Sequence, residues 1–267
     1  MDDRLESERN FHNGAFASDL RNDAAKYYEV TRKSRELYIR SVENLGARKR
    51  VLEYGCGPGS YAFHLGAHHA KVTGIDISDV AIQQAREQAA ALQLDAQVTF
   101  EVMNAEALSF ADNSFDLICG TGILHHLNLQ KAFEEIQRTL SPNGHAVFIE
   151  PLAHNPLISL YRWATPKLRT EDEHPLTMSD LQRARRYFAT VETRFFHLSS
   201  LGAVPLRKYP FFERVVHALD RMDETLFRLS PPMKRFAWRV LLTLSRPFKD
   251  AGKGAQAEEG TQPKKAA

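Results

Sequence analysis

Two cysteines in 267 residues are too few for a disulfide framework, and Cys56 and Cys119 lie too far apart for a zinc-binding pattern. Both sit in apolar, strand-like surroundings, which predicts buried free thiols and a reducing, cytoplasmic setting. No apolar run is long enough to cross a bilayer, because Arg, His or Asp interrupts each one. The polar start, MDDRLESERNFHNG, has no hydrophobic segment of the secretory type. The formal net charge of +2 gives no electrostatic argument for nucleic acid. There is no Asn-Pro-Pro-Tyr motif and no aromatic-basic platform, and Gly120-Thr121-Gly122-Ile123 offers no ring to stack on a flipped base. Histidines and carboxylates are scattered without regular ligand spacing, so no metal is expected. No internal repeat is present.

What is present is an ordinary globular composition, 43% hydrophobic and 25% charged, enough to bury a sizeable core. Residues 1–20 read as an irregular or partly helical lead-in. A helix is predicted over 22–45, with Ala24, Ala25, Tyr28, Leu37, Tyr38 and Val42 facing inward. Short apolar runs at 50–54, 71–76, 98–103, 115–120 and 145–150 then alternate with helical patterns at 60–68, 79–92 and 129–140. Ser78 is placed to cap the second of these helices, and Ser141-Pro142-Asn143-Gly144 reads as a turn ending the third. This rhythm predicts βαβ units, a parallel sheet and helices on both of its faces. In such sheets ligands bind beyond the carboxyl ends of the strands, where the glycines at 55–59, Asp76, Asn104 and Gly120 all fall.

The central motif is Val51-Leu52-Glu53-Tyr54-Gly55-Cys56-Gly57-Pro58-Gly59. Glycines at a strand-to-helix turn permit backbone angles that a Cβ forbids and let a ligand lie against the main chain. The spacing is G-x-G-x-G, not the G-x-G-x-x-G of dinucleotide folds. Glu53, two residues before the first glycine, suits a ligand carrying an ammonium and a sulfonium better than a pyrophosphate. Asp76, about twenty residues further on, is placed to bind both hydroxyls of a ribose, with Ile77 beside it to cover an adenine face.

Four blocks, VLEYGCGPG, VTGIDIS, Asn104–Leu108 followed by Ser114–Ile118, and Leu140–Gly144, give the chain a close resemblance to the class I S-adenosylmethionine-dependent methyltransferases, in their small-molecule branch. The blocks cover roughly residues 45–152. The resemblance implies a Rossmann-like α/β fold with a mostly parallel seven-stranded sheet, its last strand antiparallel; 191–198 and 236–245 fit the two final strands. It implies S-adenosyl-L-methionine as cofactor, with Gly55, Cys56, Gly57 and Gly59 along its methionine portion. Glu53 would anchor the loop or reach the amino group through water. Asp76 and Ile77 would hold ribose and adenine, Asn104 and Ala105 the adenine edge, and Gly120 and Thr121 the surroundings of the methyl group. Many relatives have Asp at the place of Asn104. Tyr27 and Tyr28 are candidates to close over the cofactor. His125 and His126, in a segment that recurs in the family, are candidate general bases, since histidine titrates near neutrality. Glu150 is expected at the reacting edge, and Glu171, Asp172, Glu173 and His174 in a lid near the acceptor.

The expected organisation is a single methyltransferase domain over 1–248, with a core at 45–152, lid or substrate elaborations at 153–190 and 199–235, and a disordered tail at 249–267. Ser179 reads as the cap of a helix running to Tyr187. Over 211–229 an amphipathic helix is predicted to bury Phe212, Val215, Val216, Leu219, Met222, Leu226 and Leu229 on one stripe. Its basic residues and those before it suggest peripheral membrane contact through 205–235, or a homodimer, as alternatives to packing on the domain. Partners are otherwise a small-molecule acceptor, hydrophobic or lipid-like ones included, and no nucleic acid. The expected reaction is methyl transfer by in-line displacement. The competing readings are a nucleoside-cofactor-binding protein without methyl transfer and a nicotinamide-dependent oxidoreductase.

Overall fold

The computed structural model describes residues 3–17, 29–59, 61–165 and 173–249, the side chains of 15–17 excepted. Its centre is a seven-stranded sheet built from β1 (Arg50–Tyr54), β2 (Lys71–Asp76), β3 (Val98–Val102), β4 (Phe115–Thr121), β5 (Leu140–Pro151), β6 (Phe188–Phe196) and β7 (Arg239–Pro247), in the order β3-β2-β1-β4-β5-β7-β6. β3, β2, β1, β4 and β5 pair in parallel, and β7 runs antiparallel to both β5 and β6. The expected α/β architecture, with its antiparallel last strand, is the one observed.

Side chains alternate across this sheet, as strand geometry requires. Leu52, Tyr54, Ile118, Phe148 and Leu242 enter one buried layer, and Val51, Leu117, Cys119, Val147 and Leu241 enter the other. Because both faces are covered, the central strands are apolar throughout rather than alternating with polar residues. The covering helices are α2 (Arg32–Gly46), α3 (Ala62–Ala67), α4 (Asp79–Ala91) and α5 (Leu129–Thr139), which follow α1 (Asp3–Ala17) in the chain. Ser78 caps α4 as expected, its Oγ accepting from Ala81 N at 3.1 Å. Both thiols are fully buried, and burial pushes each well above its usual pKa. Among the described residues no helix is long and apolar enough to cross a membrane.

Several boundaries differ from the sequence reading. The lead-in is a regular helix, α1. Of the helix predicted over 22–45, the part that is described is a 3-10 turn at Glu29–Thr31 followed by α2; Ala24, Ala25, Tyr27 and Tyr28 lie outside the described residues. Ser141–Gly144 does not separate helix from strand. β5 starts at Leu140, which pairs with Phe115, while His145 pairs with Leu117, so the four residues form an excursion within one strand. Thr177, not Ser179, caps α7 (Met178–Arg183), in a reciprocal box with Asp180. β6 begins three residues before the predicted start. Residues 231–236 form a 3-10 turn ahead of β7.

The largest departure is in α8 (Phe212–Leu229). Its buried residues are Phe212, Val216, Asp220, Asp223 and Phe227, whereas Met222 and Leu229 face solvent. The helix is rotated so that two carboxylates point inward, and each has work there. Asp223 accepts from Leu198 N at 2.9 Å, from Ser199 N at 3.0 Å and from Ser199 Oγ at 2.6 Å, closing the chain turn after β6. Asp220 lies 3.5 Å from His197 Nδ1. Buried donors that lose a charged acceptor are costly, so Asp223→Ala is expected to lower unfolding stability by about 2–3 kcal/mol. Met222→Ala, on the stripe expected to be buried, should change it by less than about 0.5 kcal/mol. Denaturant melts of the two variants check the rotation; equal losses would count against it.

Candidate functional site

The strand order reverses between β1 and β4, and the crevice opens at their carboxyl ends. The loop after β1 supplies its floor. Gly55 has φ +60°, and a Cβ there would run into the Ile123 side chain; Gly59 has φ +104°, and a Cβ would overlap the Phe63 ring. Cys56 N bonds to Ile75 O at 2.9 Å, fastening the loop to β2. Gly55, Cys56, Gly57 and Pro58 line the pocket; Gly59 supports the turn behind it.

Asp76 bridges the two motifs. Its Oδ2 accepts from Gly57 N at 2.8 Å and its Oδ1 from Ser78 N at 2.9 Å. Each carboxylate oxygen still has a lone pair free for a ligand hydroxyl. Glu53 is buried, and its Oε1 accepts from Tyr61 N at 3.1 Å, which is the loop-anchoring role. Ile75, Asp76, Ile77, Met103, Asn104 and Ala105 continue the lining. Asn104 Oδ1 accepts from Glu106 N at 2.9 Å, so that oxygen already serves the local turn. Thr121 borders the cavity, but Gly120 packs beneath it, between Tyr54 O and Ile123.

The far wall carries His126, and His125 precedes it on the same turn. Glu150 is fully buried at the end of β5. Its Oε1 accepts from Ile123 N at 2.9 Å and Leu124 N at 3.0 Å, and its Oε2 lies 2.8 Å from His125 Nδ1. The sequence reading set Glu150 at the reacting edge; its bonds instead make it a positioning group, which holds the 3-10 turn Leu124–His126 and orients the His125 ring. His125 Nε2 then faces Glu173 Oε1 at 4.0 Å, and Glu173 pairs with Arg162 from α6 (Pro156–Ala164). Burial raises the Glu173 pKa, but the Arg162 hydrogen bond and the charge of His125 outweigh it, leaving the carboxyl below its usual range. His174 N donates to His125 O at 3.0 Å, so this end of the lid closes onto the histidine turn. Glu171 and Asp172 lie outside the described residues.

Sequence reasoning missed the roof. Arg4, Leu5, Glu8 and His12 of α1 line the same pocket as Gly55 and Asp76. The signal was their spacing, i, i+1, i+4 and i+8, which is one helical face. The helix is docked by charge: Arg4 pairs with Glu106 and donates to His126 O, while Arg9 and Asn13 reach Asp79 Oδ1 at 3.0 Å.

A pocket over a glycine turn, with a carboxylate at the end of the neighbouring strand and no dinucleotide spacing, has the architecture of a Rossmann-like cofactor site. Residues 51–144 match the family described as a methyltransferase domain. A 27-O-demethylrifamycin SV methyltransferase of Amycolatopsis mediterranei is 34% identical over 102 residues, 38% of each chain. A ubiquinone/menaquinone biosynthesis C-methyltransferase of Zymomonas mobilis is 28% identical over 218 residues, 77% of this chain and 87% of that one. The geranyl diphosphate C-methyltransferase of Streptomyces coelicolor shares the fold, with a TM-score of 0.57 at 14% identity, covering 80% of each chain. The matches to the first curated relatives span 38%, 45% and 58% of those proteins' lengths. Over residues 51–144 the chain is thus similar to methyltransferase domains, and beyond them it shares their fold.

A carboxylate oxygen only accepts, so the Glu150–His125 contact places a proton on Nδ1. Nitrogen-15 NMR of ring-labelled protein above neutral pH should show His125 as a single Nδ1–H tautomer, becoming a mixture in Glu150→Gln. The same tautomer in both proteins would remove the positioning role.

Proposed function

We propose that the protein binds S-adenosyl-L-methionine in this crevice and transfers its methyl group to a small-molecule acceptor. The observation that carries the reading is the convergence of Gly55–Pro58, Asp76, Asn104–Ala105 and Thr121 on one pocket, with His126 at its far wall. When bound, the cofactor supplies a methyl group on a sulfonium, electrophilic enough that alignment and exclusion of water do most of the catalysis. The chain's own residues fit it. The glycine turn admits a ligand against the backbone, and the negative charges of Glu53 and Asp76 flank the place of a cationic cofactor. Asp76 keeps acceptor capacity for hydroxyl groups.

His126 lines the pocket and His125, fixed by Glu150, precedes it on the same turn; this pair supplies the groups to hold a proton taken from an acceptor that must lose one. Glu173 and Arg162 close that side against solvent. The similarity to a 27-O-demethylrifamycin SV methyltransferase and a ubiquinone/menaquinone biosynthesis C-methyltransferase supports an acceptor of small-molecule kind.

Isothermal titration with S-adenosylhomocysteine should give a Kd on the order of micromolar, with no heat from NADH as control. Binding of NADH instead would replace the reading with a nicotinamide enzyme. Asp76→Ala should weaken S-adenosylhomocysteine binding at least about tenfold with an unchanged circular dichroism spectrum; unaltered affinity would overturn the ribose assignment. Incubation of tritium-methyl cofactor with acceptor pools should label a product; binding without any transfer would favour a cofactor-dependent protein that does not methylate.

A further inference from the structure

The roof helix and the histidine turn bring together three groups that the nucleoside half of the pocket does not use. Glu8 Oε2 lies 3.3 Å from His12 Nε2 and 3.4 Å from His126 Nδ1. Glu8 and His12 are one helical turn apart on α1, so their side chains leave the same face in parallel. His126 comes from the opposite wall, on the turn that Glu150 holds by its backbone. All three line the pocket. His126 Nδ1 is buried and makes no hydrogen bond among the described residues.

These separations have a chemical meaning. Around a tetrahedral zinc with bonds of about 2.0–2.1 Å, neighbouring ligand atoms stand about 3.3–3.4 Å apart. Two imidazole nitrogens and one carboxylate oxygen are also a donor set suited to first-row divalent metals rather than to magnesium or calcium. We propose that Glu8, His12 and His126 bind one such ion, zinc or its neighbours in the series, with the remaining coordination position open to the pocket.

A second trio, His125, His126 and Glu173, also falls within ligand range and shares His126. It is the weaker candidate because Arg162 already engages Glu173, and His125 Nε2 is 4.0 Å from it. Arg4, one turn before Glu8 on α1, binds Glu106 and the His126 carbonyl. Its bond to that carbonyl fixes the two walls relative to each other, so the site is held in place from outside the ligand set.

The role of the ion rests on the proposed methyl transfer; its existence does not. Three protein ligands and an open position are the arrangement of a reactive rather than a purely structural metal. An ion there would take an oxygen of the acceptor and stabilise its deprotonated form. That narrows the acceptor to compounds presenting a hydroxyl or an enolisable carbonyl at the end facing α1.

The test uses cobalt as a visible probe. Chelator-stripped full-length protein titrated with Co²⁺ should develop ligand-field absorption that saturates at one ion per chain and is displaced by Zn²⁺. Glu8→Gln and His12→Ala should each weaken binding at least about tenfold, with unchanged circular dichroism. Glu173→Gln, which touches only the second trio, should leave the titration as it is. So should His68→Ala, which removes a surface histidine beside His64. The proposal is overturned if no saturable absorption appears, or if it survives Glu8→Gln and His12→Ala. Loss in Glu173→Gln alone would move the ion to the second trio and overturn it equally. Because the readout is cobalt binding, a protein that takes up S-adenosylhomocysteine but no cobalt loses only the metal site, and one that takes up cobalt but no S-adenosylhomocysteine loses only the cofactor reading.

Discussion

The reversal of strand order at β1 and β4 is the constraint on which the site depends. A chain that winds outward first on one side of β1 and then on the other must leave two successive loops diverging, and the gap between them is the only place where a ligand can reach the strand ends. Four groups at that gap are held at or next to strand ends. Gly55 follows β1 directly, Asp76 ends β2, Thr121 ends β4 and Glu150 is the penultimate residue of β5. Their relative positions are therefore set by sheet register rather than by loop conformation, which is how a rigid scaffold places chemistry within a few tenths of an ångström.

The second organising feature is the use of buried carboxylates as backbone clamps. Glu53 holds the start of α3 through Tyr61 N, Asp76 holds the glycine turn, Glu106 accepts from Asn128 N, and Glu150 holds the histidine turn. Asp223 does the same behind the sheet. The result is a ring of negative charge around the pocket, a suitable surrounding for a cationic cofactor. α1 brings cations to the rim as well, through Arg4 and Arg9.

The core was legible because its signals are local. Apolar runs bounded by glycine, the G-x-G-x-G turn and Ser78 before α4 each specify their own structure, and the sheet follows from their alternation. The two ends of the chain were not, for two physical reasons. α1 has only three large apolar residues, Leu5, Phe11 and Phe16, and ion pairs and hydrogen bonds to Glu106, Asp79 and His126 hold it in place, partners that no local pattern reveals. α8 has a convincing apolar stripe that is only partly buried, because Asp220 and Asp223 are required inside by His197 and the turn after β6. In the site, Asp76 and the histidines were readable as residue types at motif positions. The division of labour between Glu150 and His125 was not, since it depends on a 2.8 Å contact across 25 residues of sequence.

Cys56 sits inside the glycine turn, fully buried, with its thiol against Gly74. Burial, together with the charges of Glu53 and Asp76, keeps it in the unreactive protonated form. Cys119, the other thiol, lies in the middle of β4 and is released only when the sheet comes apart. The molecule thus contains two chemical clocks of different scope. Alkylation at Cys56 times the opening of a single loop, alkylation at Cys119 times global unfolding, and the difference between their rates measures how far the floor of the pocket breathes while the sheet stays intact.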